Sequence, residues 1–350
     1  MRALVKFGDR PGEVAVRDVA DPVAGPGSVL VRAEYVGVCG SDLHMWHHTH
    51  SWPSATPVVL GHEMCGTVAA VGEGVSGWSV GERVVCETAA EICGTCPFCR
   101  TGRYNLCPGR QGYGATRDGA FSELVLAEPR VLHRVPDGIE PEHAALTEPF
   151  AVAYNALVER AAVRPGDVVV VQGIGAIGAL AVQMVRLRGA GTVVVLGTDI
   201  DQPRLAKALE MGADRVVNVS REDPRATVAA LGDGFGADLV VDATGVSVAL
   251  DQALDLVRPL GTIVKVGWGP QPLGFGLDRL VQKAVSLHGS FSHSWQTWER
   301  VLGLFASGRL DPRAVLGGVY ALENWQEGFE AMATGRNIKS VIRMTPPWQG

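Results

Sequence analysis

The first 150 positions carry short runs of β-branched and apolar residues, broken at close intervals by Gly and Pro. Gly27–Ala33 (GSVLVRA), Gly66–Val71 (GTVAAV), Glu82–Cys86 (ERVVC) and Phe121–Leu126 (FSELVL) read as strands. Such spacing predicts a compact, mostly antiparallel domain. Beyond about residue 150 the texture changes. Val168–Gln172 is a continuous apolar run, Ala176–Arg188 is helical in composition, Val193–Leu196 reads as a second strand and Pro203–Met211 as a second helix. Arg215–Val219, Asp238–Ala243, Gly261–Gly267 and Ser286–Phe291 complete a set of six strands. Near-continuous apolar strands alternating with helices predict a parallel sheet covered on both faces, the doubly wound dinucleotide-binding arrangement. Amphipathic helices near Trp298–Ser307 and Trp325–Thr334 follow, in a segment expected to return to the first domain. The predicted class is α/β in two domains: a β-rich domain over 1–150, completed by 290–350, and a dinucleotide-binding domain over 151–289.

Composition narrows the function classes. With 47% hydrophobic and 19% charged residues, the 350-residue chain can build a sizeable core. A net charge of −6 with dispersed basic residues argues against nucleic acid or an anionic membrane as partner. The first twenty residues lack a secretory pattern and no apolar run reaches bilayer length, so a cytoplasmic location is expected.

The cysteines change the picture most. Six of the seven fall between Cys65 and Cys107, and an odd count in a chain without a secretory pattern argues against a disulfide framework. Cys93, Cys96, Cys99 and Cys107 form C-x2-C-x2-C-x7-C, with Gly94, Pro97 and Gly102 supplying turns. Four such thiolates can surround tetrahedral Zn²⁺ and leave no open position, the mark of a structural zinc. Three further segments carry metal-capable residues: Gly37–His44 (GVCGSDLH), Gly61-His62-Glu63 and Thr147-Glu148-Pro149. Cys39, His62 and a carboxylate would supply three ligands and leave the fourth place open, as a catalytic zinc requires. Taken singly, Cys39 and His62 read as well as a core thiol and a hydrogen-bonded structural histidine. His44, His47, His48 and His50 lie within seven positions, which suits an exposed loop at a substrate mouth better than a metal tract.

A second motif, Gly173-Ile174-Gly175-Ala176-Ile177-Gly178, follows a strand and opens a helix. Its glycines allow a tight turn and close backbone approach, with the helix N-terminus toward a pyrophosphate. Asp199, 21 positions beyond Gly178, is placed to hold the adenosine ribose, and with Asp201 it would repel a 2′-phosphate. NAD is therefore expected over NADP. The strand before it runs two residues long, so Gly197 competes for the acidic position, and Arg204 could stack on or pair with the adenosine end.

In order and spacing, Cys39–His44, Gly61–Gly66 with Gly72, the four-cysteine loop and Gly173–Gly178 resemble the zinc-containing medium-chain dehydrogenase/reductase family along essentially the whole chain. The resemblance implies a GroES-like catalytic domain, a Rossmann domain, and an active site in the cleft between them. It implies that Cys39 and His62 bind catalytic zinc, and that Ser41 and His44 pass the alcohol proton to solvent. Liver-type alcohol dehydrogenases have a cysteine ligand where this chain has Glu148. Glu148-Pro149 resembles the sorbitol and polyol, threonine and butanediol dehydrogenases, in which carboxylates matching Glu63 and Glu148 compete for the metal or share it through water. Thr244, Gly267, Phe291 and Ser292 resemble further cofactor-contacting points, although each also reads as a strand-end turn. The implied activity is hydride transfer between an alcohol or polyol and NAD(P)⁺, in a homotetramer or dimer joined near Ser286–Phe291. Alternatives are an NADPH-dependent aldehyde or ketone reductase and an amino-alcohol dehydrogenase. Trp46, Trp268, Trp295 and Trp298 are candidate pocket walls or subunit-interface residues.

Overall fold

The computed structural model describes residues 1–344, so positions 345–350 of the expected 290–350 segment lie outside the described residues. Two compact units are present. The first comprises Met1–Ala151, His293–Ala333 and the segment from Lys339; the second comprises Val152–Ser292 and Thr334–Ile338.

In the first unit, strand Val29–Gly37 pairs antiparallel with Glu63–Val71, Leu124–Ala127 and Lys339–Arg343. Arg83–Cys86 and Leu132–Arg134 extend this seven-stranded sheet on one side and Leu316–Ala321 on the other. Its buried positions, among them Val31, Ala33, Val36, Met64, Val68 and Val84, pack with Phe121, Trp325 and Phe329 into one core. The register sets Gly37 opposite both Glu63 and Val341, so the end of one strand and the start of the next meet beside the middle of Lys339–Arg343.

The second unit is a six-stranded parallel sheet in the order Arg215–Asn218, Thr192–Gly197, Val168–Gln172, Ala237–Asp242, Val257–Lys265 and Ser286–Gly289. Every residue of Val168–Gln172 is buried, which is why that segment reads as unbroken apolar sequence rather than alternation. The order reverses between Val168–Gln172 and Ala237–Asp242, and the glycine motif follows the first of these, where doubly wound sheets bind ligands. Among the described residues, no helix is long and apolar enough to cross a membrane.

Candidate active site

Antiparallel pairing brings two motifs together from opposite directions. The chain leaves one strand through Val38-Cys39 and enters its neighbour through Gly61-His62. Cys39 caps the short helix Gly40–Trp46, which carries Ser41 and His44. Asp42, buried in the first turn, ties the two approaches. Its Oδ2 accepts the Cys39 N–H at 2.8 Å and its Oδ1 the Gly61 N–H at 3.2 Å. Gly61 has φ +89°, and a β-carbon there would come within 2.7 Å of the Phe121 ring, so the turn that delivers His62 needs glycine.

The ligand atoms of Cys39, His62 and Glu63 lie within 4.8 Å of one another. Glu63 is fully buried. Its Oε1 accepts from Lys339 Nζ at 2.5 Å, and the same ammonium donates to the Val38 carbonyl at 2.6 Å. Burial works against the Lys339 charge, but Glu63, Cys39 and Glu148 outweigh it and raise the ammonium above its ordinary value. Glu63 Oε2 is buried with no hydrogen-bond partner. Gly37 makes room for it, since a β-carbon at that position would sit 2.1 Å away. Burial likewise pushes the His62 imidazole down, yet Cys39, Asp42 and Glu148 outweigh it and raise it to about 10. A thiol, an imidazole and a carboxylate oxygen within 4.8 Å of one another, the carboxylate buried with one oxygen unpartnered, fit a divalent cation, and their donor types are those of zinc.

Glu148 lies in the first turn of helix Thr147–Tyr154 and is also buried, but it stands outside that 4.8 Å group. Burial raises its carboxyl, while the His293 hydrogen bond and the charges of His293, His62 and Lys339 prevail and hold it below the usual range. His44 is half-buried, with Nδ1 2.9 Å from Thr49 Oγ1. Burial, then the neighbouring His47, depress it below its ordinary value.

The four-cysteine loop forms a second group, also within 4.8 Å. Sulfur–sulfur separations of 3.5 Å (Cys96–Cys99) and 3.9 Å (Cys93–Cys99) bracket the edge of about 3.8 Å that four 2.3 Å zinc–sulfur bonds impose. Main-chain N–H groups of Thr95 and Cys96 lower the Cys93 thiol to about 6. Among the described residues these are the two groups with metal-ligand proximity, and the histidines of residues 44–50 do not form a third.

In the second unit Gly173 has φ +83°. A β-carbon on Gly178 would lie 1.8 Å from the Gly173 carbonyl, whereas one on Gly175 would meet nothing within 4 Å. Gly178 therefore closes the turn, and Gly175, capping helix Ala176–Leu187 just before Ala176 and Ile177, leaves open space at the helix N-terminus. That cradle fits a dinucleotide pyrophosphate. The strand ends at Gly197, where a side chain would crowd Asp201 and Leu205. Asp199 is the exposed carboxylate at this edge, its Oδ1 accepting from Asn218 Nδ2 and Arg221 Nε at 2.7 Å each. The expected role of Arg204 at the adenosine end is not what its contacts favour. Its guanidinium is largely enclosed and clamps the Asn337 carbonyl and Asp201. Thr244 bonds Asp242 through N–H and hydroxyl, and Gly267 lies so near the Thr244 and Gly245 amides that no side chain fits. Gly267, Trp268 and Phe291 help line an open cavity of about 520 Å³. The Ser292 and Phe291 carbonyls accept from Asn155.

One tryptophan expectation needs correction: Trp298 is fully buried in the core of the first unit. Trp46 is partly buried and packs edge-on against Trp325 and Phe329, and Trp268 and Trp295 are about half exposed. Reading the sequence also missed Asp42, Lys339 and His293. Asp42 lies inside a quoted motif, but nothing local marks Lys339 or His293, which lie 276 and 145 residues from the Glu63 and Glu148 carboxylates that they bond.

The family model described as "Alcohol dehydrogenase GroES-like domain" matches residues 25–137, and "Zinc-binding dehydrogenase" matches residues 176–307. The chain is 38% identical to a sorbitol dehydrogenase of Halalkalibacterium halodurans, over 98% of this chain and 99% of that one. It is 33% identical to a D-arabitol-phosphate dehydrogenase of Enterococcus avium, over 99% and 98%. Among solved structures, the alcohol dehydrogenase TADH of Thermus sp. ATN1 superposes with a TM-score of 0.88 at 32% identity, over 98% and 99%.

Proposed function

This chain belongs to the zinc-containing medium-chain dehydrogenase/reductase family and is an alcohol oxidoreductase; from that premise we propose that it moves hydride between the secondary alcohol of a polyol, vicinal diol or cyclitol-like substrate and NAD⁺. The observation that carries the reading is the convergence of Cys39, His62 and Glu63, a buried carboxylate whose Oε2 has no partner. Cys39 and His62, with Glu63 or Glu148, would hold the catalytic zinc, and Cys93, Cys96, Cys99 and Cys107 the structural one. When bound, the catalytic ion supplies Lewis acidity toward an alcohol oxygen.

The chain's own groups do the rest. Asp42 fixes both ligand-bearing turns through the Cys39 and Gly61 amides. Lys339 orients Glu63 by holding its Oε1. Ser41 and His44 take the alcohol proton toward solvent. A depressed His44 is neutral at pH 7 and so ready to accept it. Gly173–Gly178 receive the pyrophosphate, and Asp199 binds the ribose and disfavours a 2′-phosphate. The choice of a polyol is supported by Glu148 in place of a cysteine and by the likeness to sorbitol and arabitol-phosphate dehydrogenases. A homodimer or tetramer pairing through the edge strand Ser286–Gly289 is supported by the exposed Leu287 on it. Seven cysteines, an odd number of which five are assigned to zinc, suit a reducing, cytoplasmic compartment.

The test is reduction of NAD⁺ and of NADP⁺ across polyols, diols, simple alcohols, threonine and cyclitols, repeated with Cys39→Ser. Turnover of one polyol or diol with NAD⁺, lost in the variant, is the expected result. Turnover of threonine alone, or preference for NADP⁺, would overturn the substrate or the cofactor assignment respectively.

A further inference from the structure

His293, which follows the last strand of the parallel sheet, carries a buried polar assembly that the reaction outlined above does not use. Its Nε2 lies 3.2 Å from Glu148 Oε1, and its Nδ1 lies 2.7 Å from Trp298 Nε1. An indole nitrogen can only donate, so Nδ1 must accept. A neutral imidazole carrying no proton on Nδ1 carries it on Nε2, and that N–H then points at the Glu148 carboxylate. Flipping the ring would put carbon at both positions and forfeit both bonds. Thr88 Oγ1 is the other neighbour of Nε2, at 3.4 Å, and already accepts from Arg110 at 2.6 Å. Glu87 Oε2 lies 3.9 Å from Nδ1, beyond hydrogen-bond distance, on a nitrogen whose lone pair the indole occupies.

The indole is itself fixed. Trp298 is fully buried, edge-on to His293 and stacked on His133 at 5.3 Å with planes 10° apart. His133 is pinned at both ends, Nε2 by Glu87 at 3.1 Å and Nδ1 by Glu299 at 2.6 Å. Glu87 in turn accepts the Tyr104 hydroxyl on both oxygens, and Tyr104 belongs to the four-cysteine loop.

We propose that His293 is a positioning residue: Trp298 fixes it as the Nε2–H tautomer, and His293 thereby commits Glu148 Oε1 to the protein, leaving a single oxygen, Oε2, for the Cys39–His62–Glu63 cluster. Glu148 then serves that cluster through one oxygen in one orientation and cannot grip an ion with two. This rests on the reading that the cluster holds a divalent ion. An outer partner that orients a metal-site carboxylate is typically worth 10–100-fold in metal affinity or activity.

The experiment compares the parent with His293→Leu, His293→Gln and Trp298→Phe, loaded with Co²⁺ in place of zinc. It reads metal content per chain, the visible absorption of the cobalt, and the rate at which a chelator removes the more labile ion. A parent that binds only one ion per chain, on the four cysteines, would sink the underlying metal reading, and this proposal with it. Given two ions, His293→Leu is expected to lose the labile one 10–100-fold faster with an altered cobalt spectrum, while the four-cysteine ion stays. His293→Gln, whose amide N–H can replace the Nε2 donor, is expected to stay within about threefold of the parent. Trp298→Phe removes the tautomer constraint, and an altered spectrum is expected there as well, which keeps the test decisive if His293→Leu fails to fold. In a Glu148→Ala background the His293 substitution should add nothing. An unchanged spectrum and chelation rate in both His293→Leu and Trp298→Phe, or losses that simply add in the double variant, would overturn the proposal.

Discussion

Lys339→Met offers the sharpest test of how the Cys39–His62–Glu63 cluster is held. The ammonium is buried with its two acceptors, Glu63 Oε1 at 2.5 Å and the Val38 carbonyl at 2.6 Å. Met fills similar volume without charge, so the change leaves a fully buried carboxylate with no counter-charge on Oε1 while Oε2 has no protein partner either. Breaking a buried pair from one side costs about 3–5 kcal/mol, because the remaining charge stays desolvated. With a urea m-value of about 3 kcal/mol per molar or more for a chain this long, the unfolding midpoint of chelator-treated protein should fall by roughly 1 M. The loss should be smaller with zinc bound, since the ion supplies positive charge to the same cluster. Burial, with the Glu148 charge, already raises the Glu63 carboxyl against the pull of Lys339 and His62; losing Lys339 raises it further, so the folded state favours the protonated acid. The deficit is then largest at neutral pH and shrinks as pH falls through that raised value. Adding Glu63→Gln to Lys339→Met removes the stranded charge and should recover part of the loss. A deficit below about 1 kcal/mol in metal-free protein, or one that grows toward acid, would refute the assignment of Lys339 as the Glu63 counter-ion.

Other consequences are checked more simply. Cys99→Ser breaks the four-sulfur set, and zinc per chain should drop from two to one with a lowered melting temperature, because a structural ion contributes folding free energy directly; retention of two ions would show that this loop is not a zinc site. Asp199→Ser removes the carboxylate that Asn218 and Arg221 present, and the ratio of NAD⁺ to NADP⁺ affinity, followed by titration calorimetry, should fall at least tenfold, with NADP⁺ gaining as Arg221 is released. His44 accepts a proton only when neutral and is depressed below its usual 6.5, so the acid limb of kcat/KM should lie below pH 6.5 in the parent. In His44→Gln that limb should disappear, whereas a limb unchanged in position would assign it to another group.

The sequence by itself was enough for what depends on local rules. Unbroken apolar strands announced a parallel sheet because both faces of Val168–Gln172 are covered. The four-cysteine spacing announced a tight cysteine cluster because its members sit within fifteen residues. The Gly173–Gly178 motif announced a tight turn because φ +83° and a 1.8 Å approach admit no side chain. Cys39 and His62 were legible as separate motifs, and only the register pairing Gly37 with Glu63 put them in one site. Tertiary structure alone decided the remainder. It distinguished Glu63, inside the cluster, from Glu148, outside it, through hydrogen bonds to Lys339 and His293 that span 276 and 145 residues. It turned Trp298 from a candidate pocket wall into the core residue that fixes a tautomer. The reason is physical: a buried charge is oriented by whichever partner satisfies it, and that partner comes from the packing of distant segments, on which local spacing carries no information.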